Sequence, residues 1–179
     1  YNLHYEFIHA YRSQAIASST YQEFQELIKY NPDKKEEVEA LKKFEELTIQ
    51  LEMLIYLKIW ESDLFIKRLY QLASLAQREP FDWYFSISLR NRDSESTGTR
   101  ENILRKRVRD RLSEHYPIIS EAMKTAYRSQ IRNSIAQSNY SFLSRHIHPN
   151  NHILDKESQI RSLPFEHWIF MFHDTMVIY

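Results

Sequence analysis

Apolar residues recur at every third or fourth position over most of this chain, which is the spacing of one face of an α-helix. The longest uninterrupted pattern covers residues 34 to 77, which contain neither Gly nor Pro. We expect one very long helix there, over about 34–77. Its first half carries a single apolar stripe, composed of Val38, Leu41, Phe44, Leu47, Leu51, Leu54 and Ile55. The stripe widens after Leu57, which predicts that the second half is buried on more than one side.

Shorter helices are predicted on either side of the long one. One covers residues from about 3 to 30, and another follows the cap signal of Thr99 and runs to about residue 114. A third helix, over about 117–138, begins with Pro, a residue suited to the first helical turn. The final helix begins near Pro164. Between these helices, the aromatic stretch 81–89 is expected to form a short strand or an extended segment.

The same spacing predicts the inner faces of the two middle helices. The inner face of the first is formed by Leu104, Val108 and Leu112. The inner face of the second is formed by Ile118, Ile119, Ala122, Met123, Ala126, Ile131 and Ile135.

Glycine content restricts the fold class. The 179 residues include a single Gly, Gly98. Tight turns of β-rich folds, and the loops that bind phosphate in Walker-type and dinucleotide-binding sites, need Gly for positive φ angles. Because 42% of the residues are hydrophobic, the chain can still bury a sizeable core. We therefore predict an all-α helical bundle that forms a single domain.

Charge and cysteine content restrict the function and the compartment. The 24 Lys and Arg residues balance 24 Asp and Glu residues, which argues against a globally basic nucleic-acid-binding protein but leaves local patches open. No Cys is present, which excludes disulfides and Cys-based zinc sites and fits a reducing compartment. We expect a cytoplasmic protein that does not contact membranes. We also expect a fragment of a longer chain, because the sequence starts at Tyr1 and stops inside an apolar run.

The segment "IRNSIAQSNY", residues 131–140, carries the clearest candidate chemistry. Arg132 and Asn133 are followed within two turns by further short polar residues, where an ordinary helix would continue its apolar stripe. A guanidinium can hold a phosphate through two parallel hydrogen bonds, and an amide can orient a neighbouring group. The alternative is that both residues satisfy a helix end or a polar contact between helices.

This motif resembles that of the HEPN superfamily, whose helical bundles carry an Arg, in many members followed by Asn, and a His that is separated from the Arg by about four to six residues. "WESDLFIKRLYQLASLA", "FDWYF" and "SLPFEHW" extend the resemblance over about residues 50–175, so residues 1–49 would be an N-terminal helical extension. The resemblance implies metal-independent RNA cleavage at a dimer interface. The three positions open to the His are occupied by Gln137, Ser138 and Asn139. None of these acts as a general base near neutral pH, so we expect a catalytically degenerate relative.

Other residues complete the predicted site. The resemblance implies an acid on the long helix that orients Arg132, and Glu61 is preferred over Asp63 because it lies next to the apolar stripe. The predicted RNA-binding residues are Arg128, Arg132, Arg105 and Arg109. The last two belong to a basic run over residues 100–111, for which a solvated helix face is the competing interpretation.

The histidines and aromatic residues have ordinary explanations as well. His146 and His148 are candidates for catalysis from outside the expected spacing. With His152 they could also share a metal ion, but no acidic ligand lies among them, and we predict no metal site and no cofactor. The 25 Phe, Tyr and Trp residues are most simply core, although exposed ones could stack on bases.

These observations predict a HEPN-like homodimer that binds RNA or a nucleotide without cleaving it. By family analogy alone, its context would be antiviral defence or a toxin–antitoxin system. One alternative is a helical dimerisation or interaction module with no nucleic-acid role, whose long helix is the contact surface. A second alternative is an active RNase that uses a His outside the expected spacing.

Overall fold

The computed structural model describes residues 35–88, 96–153 and 159–179. Within these ranges the protein is mainly helical, with one small antiparallel sheet. The helix predicted over residues 3–30 lies outside the described residues. The prediction of an all-α fold is therefore correct for the bulk of the described chain and wrong for the sheet.

The single helix predicted over about 34–77 is two helices. Helix α1 covers Lys35–Glu61 and helix α2 covers Asp63–Ala76. Ser62 separates them with an extended backbone, and its hydroxyl oxygen accepts a hydrogen bond from the backbone N–H of Phe65. The prediction failed because a Ser inside an apolar pattern is compatible with both a helix interior and a cap, and helical spacing does not distinguish the two.

Helix α3, residues 100–112, begins where it was predicted. The Thr99 side chain accepts a hydrogen bond from the backbone N–H of Asn102 and caps the first turn. An α-helical turn is followed by the π-helical stretch Ile103–Arg109 and a second α-helical turn. The predicted inner face is confirmed, since Leu104, Val108 and Leu112 are all buried.

The helix predicted over about 117–138 is also interrupted. Helix α4 covers Pro117–Ala126 and helix α5 covers Ser129–Ala136. The two residues between them, Tyr127 and Arg128, have extended backbones. The predicted inner face is correct at its last four residues, Met123, Ala126, Ile131 and Ile135, and wrong at its first two, the exposed Ile118 and Ile119.

The sheet lies between the helix predicted over about 117–138 and the final helix, where no strand was predicted. Strands β1 (Tyr140–Leu143) and β2 (His146–Pro149) form a hairpin, and the short β3 (Leu163–Pro164) pairs with β2. Helix α6, Phe165–Ile178, follows β3 directly and confirms the predicted start near Pro164. The single Gly is not part of the hairpin, whose two-residue turn uses other residues in the positive-φ region.

Helix α1 has two apolar faces on opposite sides. The core face consists of Ile49, Met53, Tyr56, Ile59 and Trp60, which pack on α5 and α6. Most of the predicted stripe faces outward: Phe44, Leu47, Leu51 and Leu54 are each more than half exposed. Ile55 packs at the edge of the core, and the side chains of the other two stripe residues lie outside what the structure describes. Spacing identified this stripe as helical but could not decide which face of the helix is inside.

Candidate functional site

Arg132 lies in α5, and its side chain reaches the end of α1. Its Nη1 donates a hydrogen bond to Oε1 of Glu61 over 3.0 Å. The Arg132 side chain is 19% exposed and the Glu61 side chain 37%, so the guanidinium is mostly enclosed but reaches solvent. Helix α5 packs directly on α1. The two residues that the sequence singled out as an arginine and its orienting acid are therefore in contact.

The junction between α1 and α2 carries a second pair of the same kind. Asp63, the first residue of α2, accepts hydrogen bonds from Nε and Nη2 of Arg100 over 3.0 and 2.8 Å. Glu61 and Asp63 thus bind arginines from different elements. The acid that contacts Arg132 is Glu61 and not Asp63.

Tyr127 belongs to the same cluster, and sequence reasoning did not identify it. Its buried ring packs against Trp60, with ring centroids 5.0 Å apart. Burial raises the pKa of the Tyr127 hydroxyl, and the positive charge of the nearby Arg132 lowers it in part. The hydroxyl is buried and has no hydrogen-bond partner within the described part of the chain. On a continuous helix Tyr127 would lie about 140° around the axis from Arg132, so helical spacing could not have associated them.

Three polar residues close to Arg132 in the sequence have side chains that are not engaged elsewhere within the described ranges. Arg128 is exposed, and its backbone N–H donates to the Tyr56 hydroxyl over 3.2 Å. Asn133 is half-buried, and Gln137 is exposed just beyond the end of α5. Within the described ranges, none of these three side chains has a hydrogen bond or an ion pair. A ligand could therefore bind them without first displacing a partner.

The basic run of α3 is largely neutralised by acids. Four of its arginines each bind a carboxylate, namely Arg100, Arg105, Arg109 and Arg111. Arg105 binds Glu101 over 3.0 Å, and Arg109 binds the adjacent Asp110 over 2.7 Å. Arg105 and Arg109, which were predicted to bind RNA, are thus in exposed ion pairs. Such pairs are weak.

The histidines lie on the sheet. His146 and His148 are on the same face of β2, with ring centroids 6.1 Å apart. Nδ1 of His146 lies 2.8 Å from the carbonyl oxygen of Ser144, and Nδ1 of His152 lies 3.1 Å from that of Pro149. No hydrogen bond joins these rings to Arg132 within the described ranges. Across residues 35–88, 96–153 and 159–179, no three His, Asp or Glu side chains are grouped so that they could hold a metal ion.

Arg145 is a second arginine that binds carboxylates, and the sequence did not indicate these contacts. Its Nε and Nη2 donate to the two carboxylate oxygens of Glu45 over 3.0 and 2.6 Å, and its Nη1 binds Glu166 over 3.0 Å. The Arg145 and Glu45 side chains are 17% and 11% exposed. This cluster joins the hairpin to α1 and α6. The pairs are distant in sequence, so no local pattern indicates them.

Comparisons with known proteins add no family to this description. No protein-family model, no curated protein and no solved structure matches this chain. Among the described residues, no helix has both the length and the apolar character needed to cross a bilayer. The resemblance to the HEPN superfamily stays a prediction, carried by Arg132, Asn133 and the residues that follow them.

Proposed function

We propose that this protein binds RNA or a nucleotide through Arg132, Arg128, Asn133 and Gln137, and that it does not cleave what it binds. These four residues are called the Arg132 site below. The observation that carries the proposal is the pairing of Arg132 with Glu61. It holds the guanidinium at the edge of the helical core. The other three residues are close to Arg132 in the sequence, and their side chains are not engaged elsewhere within the described ranges.

Arg132 keeps hydrogen-bond donors for a ligand while it contacts Glu61. A guanidinium has five N–H donors, and the described carboxylate contact uses one nitrogen. Two parallel hydrogen bonds from the remaining donors match the geometry of a phosphate. The negative charge of Glu61 also repels an approaching phosphate. The positive charge of Arg128 is therefore needed for the site to attract phosphate. The side chains of Asn133 and Gln137 can donate and accept, which suits a sugar or a base edge.

The residue types at this site do not support catalysis. Removal of a proton from a 2′-hydroxyl needs a base with a pKa near the working pH. Gln137 supplies an amide where an imidazole would be required, and the adjacent Ser138 and Asn139 are equally unable to accept a proton at neutral pH. The site can therefore bind and orient a nucleotide, and a hydrolytic product is not expected.

The direct test is the binding of a fluorescein-labelled, ten-nucleotide single-stranded RNA, followed by anisotropy. We expect Arg132→Ala to weaken binding about tenfold or more, and Arg132→Lys to weaken it less, because Lys keeps the charge but loses the paired hydrogen bonds. Loss of one phosphate contact should also reduce the slope of log affinity against log salt by about 0.7. Unchanged RNA affinity in Arg132→Ala would contradict the proposal.

A matched control is Lys43→Ala, which removes an exposed positive charge from α1. Lys43 lies 18 residues before Glu61, about 27 Å along the helix at 1.5 Å per residue. RNA affinity should be unchanged in this variant. Intact labelled RNA after prolonged incubation would support the absence of cleavage, whereas cleavage lost in His146→Ala or His148→Ala would indicate an active RNase.

A second function, a helical self-association module, is favoured by a different observation. The outward face of α1 exposes Phe44, Leu47, Leu51 and Leu54 at alternating intervals of three and four residues. That spacing is typical of the contact seam between paired helices. This function is independent of the Arg132 site.

A further inference from the structure

The segment that follows α2 exposes an unusual amount of aromatic surface. Trp83 is 79% exposed and Tyr84 92% exposed, and Phe81 beside them is 41% exposed. The other two Trp residues of the chain, Trp60 and Trp168, are buried in the core. Large aromatic side chains are normally enclosed because they lose much unfavourable hydration on burial. Two adjacent rings exposed to solvent therefore indicate a surface that binds a ligand.

The rings are held in place by contacts beneath them. Gln71 of α2 is 6% exposed, and its side-chain amide makes two hydrogen bonds to the backbone of Asp82, from Nε2 to the carbonyl oxygen over 2.7 Å and from the N–H to Oε1 over 3.0 Å. The Asp82 carboxylate accepts from the backbone N–H of Tyr84 over 2.9 Å. The Phe81 and Trp83 rings pack together, with centroids 4.6 Å apart. One side of the Trp83 ring is thus supported, and most of the ring stays open.

The nearby arginines are not neutralised. Arg78 lies three residues before Phe81, and Arg68 lies one helical turn before Gln71. Both are exposed, and neither has a carboxylate partner within the described ranges. The arginines of α3, by contrast, are mostly paired with acids. The aromatic segment therefore combines open rings with free positive charge, as a phosphate backbone with unpaired bases requires.

The aromatic segment is within reach of the Arg132 site along α2. The Arg132 site adjoins the start of α2, where Glu61 ends α1 and Asp63 binds Arg100. Gln71 lies eight residues after Asp63, which is about 12 Å along the helix. A single strand of a few nucleotides can follow this stretch of α2 from one site toward the other.

We propose that Trp83 and Tyr84 form a stacking platform for the unpaired bases of a single-stranded RNA, whose phosphates contact Arg68 and Arg78 and extend toward the Arg132 site. The inference rests on the proposed function and specifies its ligand as single-stranded. A duplex would not bind in this way, because its bases are already stacked on one another. The platform positions the strand and takes no part in chemistry.

Trp83 provides its own probe of this proposal, since it is the exposed member of the three Trp residues. Titration with a ten-nucleotide oligouridylate should quench the tryptophan fluorescence of the intact protein, because a stacked base quenches the ring it covers. A ten-base-pair RNA duplex should not quench it. In Trp83→Phe the quenching should disappear while the affinity, measured by anisotropy, stays within about threefold, because Phe also stacks.

The double variant Trp83→Ala, Tyr84→Ala should bind the oligouridylate at least tenfold more weakly, as expected when stacking on two rings is lost. Its matched control is Phe170→Ala, which removes a ring of similar exposure, 66%, from α6. That variant should bind as the unsubstituted protein does. Retained circular dichroism in both variants would show that the difference does not arise from unfolding.

The outcomes separate the platform from the Arg132 site. RNA binding that depends on Arg132, without quenching and without an effect of the double variant, overturns the platform and leaves the Arg132 site standing. Affinity lost in the double variant but unchanged in Arg132→Ala supports the platform and contradicts the Arg132 site. If the aromatic segment docks a protein, RNA leaves the tryptophan fluorescence unchanged and the double variant binds RNA as the unsubstituted protein does, and the proposal is overturned.

Discussion

Two adjacent residues with positive φ form the turn of the β1–β2 hairpin. Ser144 has φ 50° and Arg145 has φ 61°, which is the geometry of a type I′ turn and matches the twist of the two strands. Non-glycine residues adopt this region at a cost of about 1 kcal/mol each. Arg145 is held by Glu45 and Glu166, whereas Ser144 is exposed and has only its carbonyl contact to His146. The strain at Ser144 is therefore not offset by a side-chain contact.

Ser144→Gly should stabilise the protein by about 0.5 kcal/mol, since relief of the φ strain exceeds the extra entropy that Gly loses on folding. The measurement is the free energy of unfolding in urea. Ser141→Gly is the matched control, because Ser141 is exposed in β1 and has no positive φ; Gly there should destabilise by a similar amount. Equal destabilisation by both substitutions would show that Ser144 carries no strain.

At the scale of the elements, short interruptions position the Arg132 site. The break at Ser62 ends α1 at Glu61 and starts α2 at Asp63, so that the two acids bind Arg132 and Arg100. The extended residues between α4 and α5 separate the buried Tyr127 from the exposed Arg128. The backbone N–H of Arg128, which no helix satisfies, donates to the buried Tyr56 hydroxyl instead.

Ser62→Ala removes the hydroxyl that caps α2 and should lower the free energy of unfolding by about 1 kcal/mol. Ser62→Asp keeps a side-chain acceptor and adds negative charge at the helix N-terminus, so its stability should be close to that of the unsubstituted protein. Urea denaturation of the three proteins distinguishes these outcomes. If Ser62→Ala were as stable as the unsubstituted protein, the break would be maintained by packing and not by the cap.

In the molecule as a whole, the outward face of α1 is an apolar surface that the described helices leave without a partner. Phe44, Leu47, Leu51 and Leu54 occupy alternate a and d positions of a heptad, while Ile49 and Met53 face the core on the other side. A second copy of the chain offers an identical stripe. Pairing about a two-fold axis would bury both stripes at once.

We expect the protein to be a dimer at micromolar concentration and Leu51→Glu to make it a monomer, because the charge would be buried in an apolar seam. Sedimentation velocity measures this directly. Leu72→Glu, on a comparably exposed Leu of α2, should leave the dimer intact. Since the chain has no Cys, Leu51→Cys places a single thiol near the centre of the stripe, and oxidation should join two chains. A monomer at all concentrations would contradict this arrangement.

Local signals in the sequence predicted most of the helices. The Thr99 cap, the inner face of α3 and the start of α6 near Pro164 were all correct, because capping and apolar spacing act within a few residues. The same reasoning missed the interruptions at Ser62 and Tyr127. Ser and Tyr are acceptable in a helix interior, so spacing alone does not show where a cap such as that of Ser62 or the packing of distant helices favours an extended backbone.

The amino-acid pattern alone indicates a mainly helical chain with little Gly for turns, in which Arg132 and Asn133 stand out among short polar residues. The folded arrangement was needed to show which face of α1 is inside, that Glu61 contacts Arg132 across 71 positions, and that Trp83 and Tyr84 are exposed. The difference arises from the range over which each interaction acts. Spacing and capping are properties of neighbours along the chain, whereas burial and ion pairing depend on which distant elements come together.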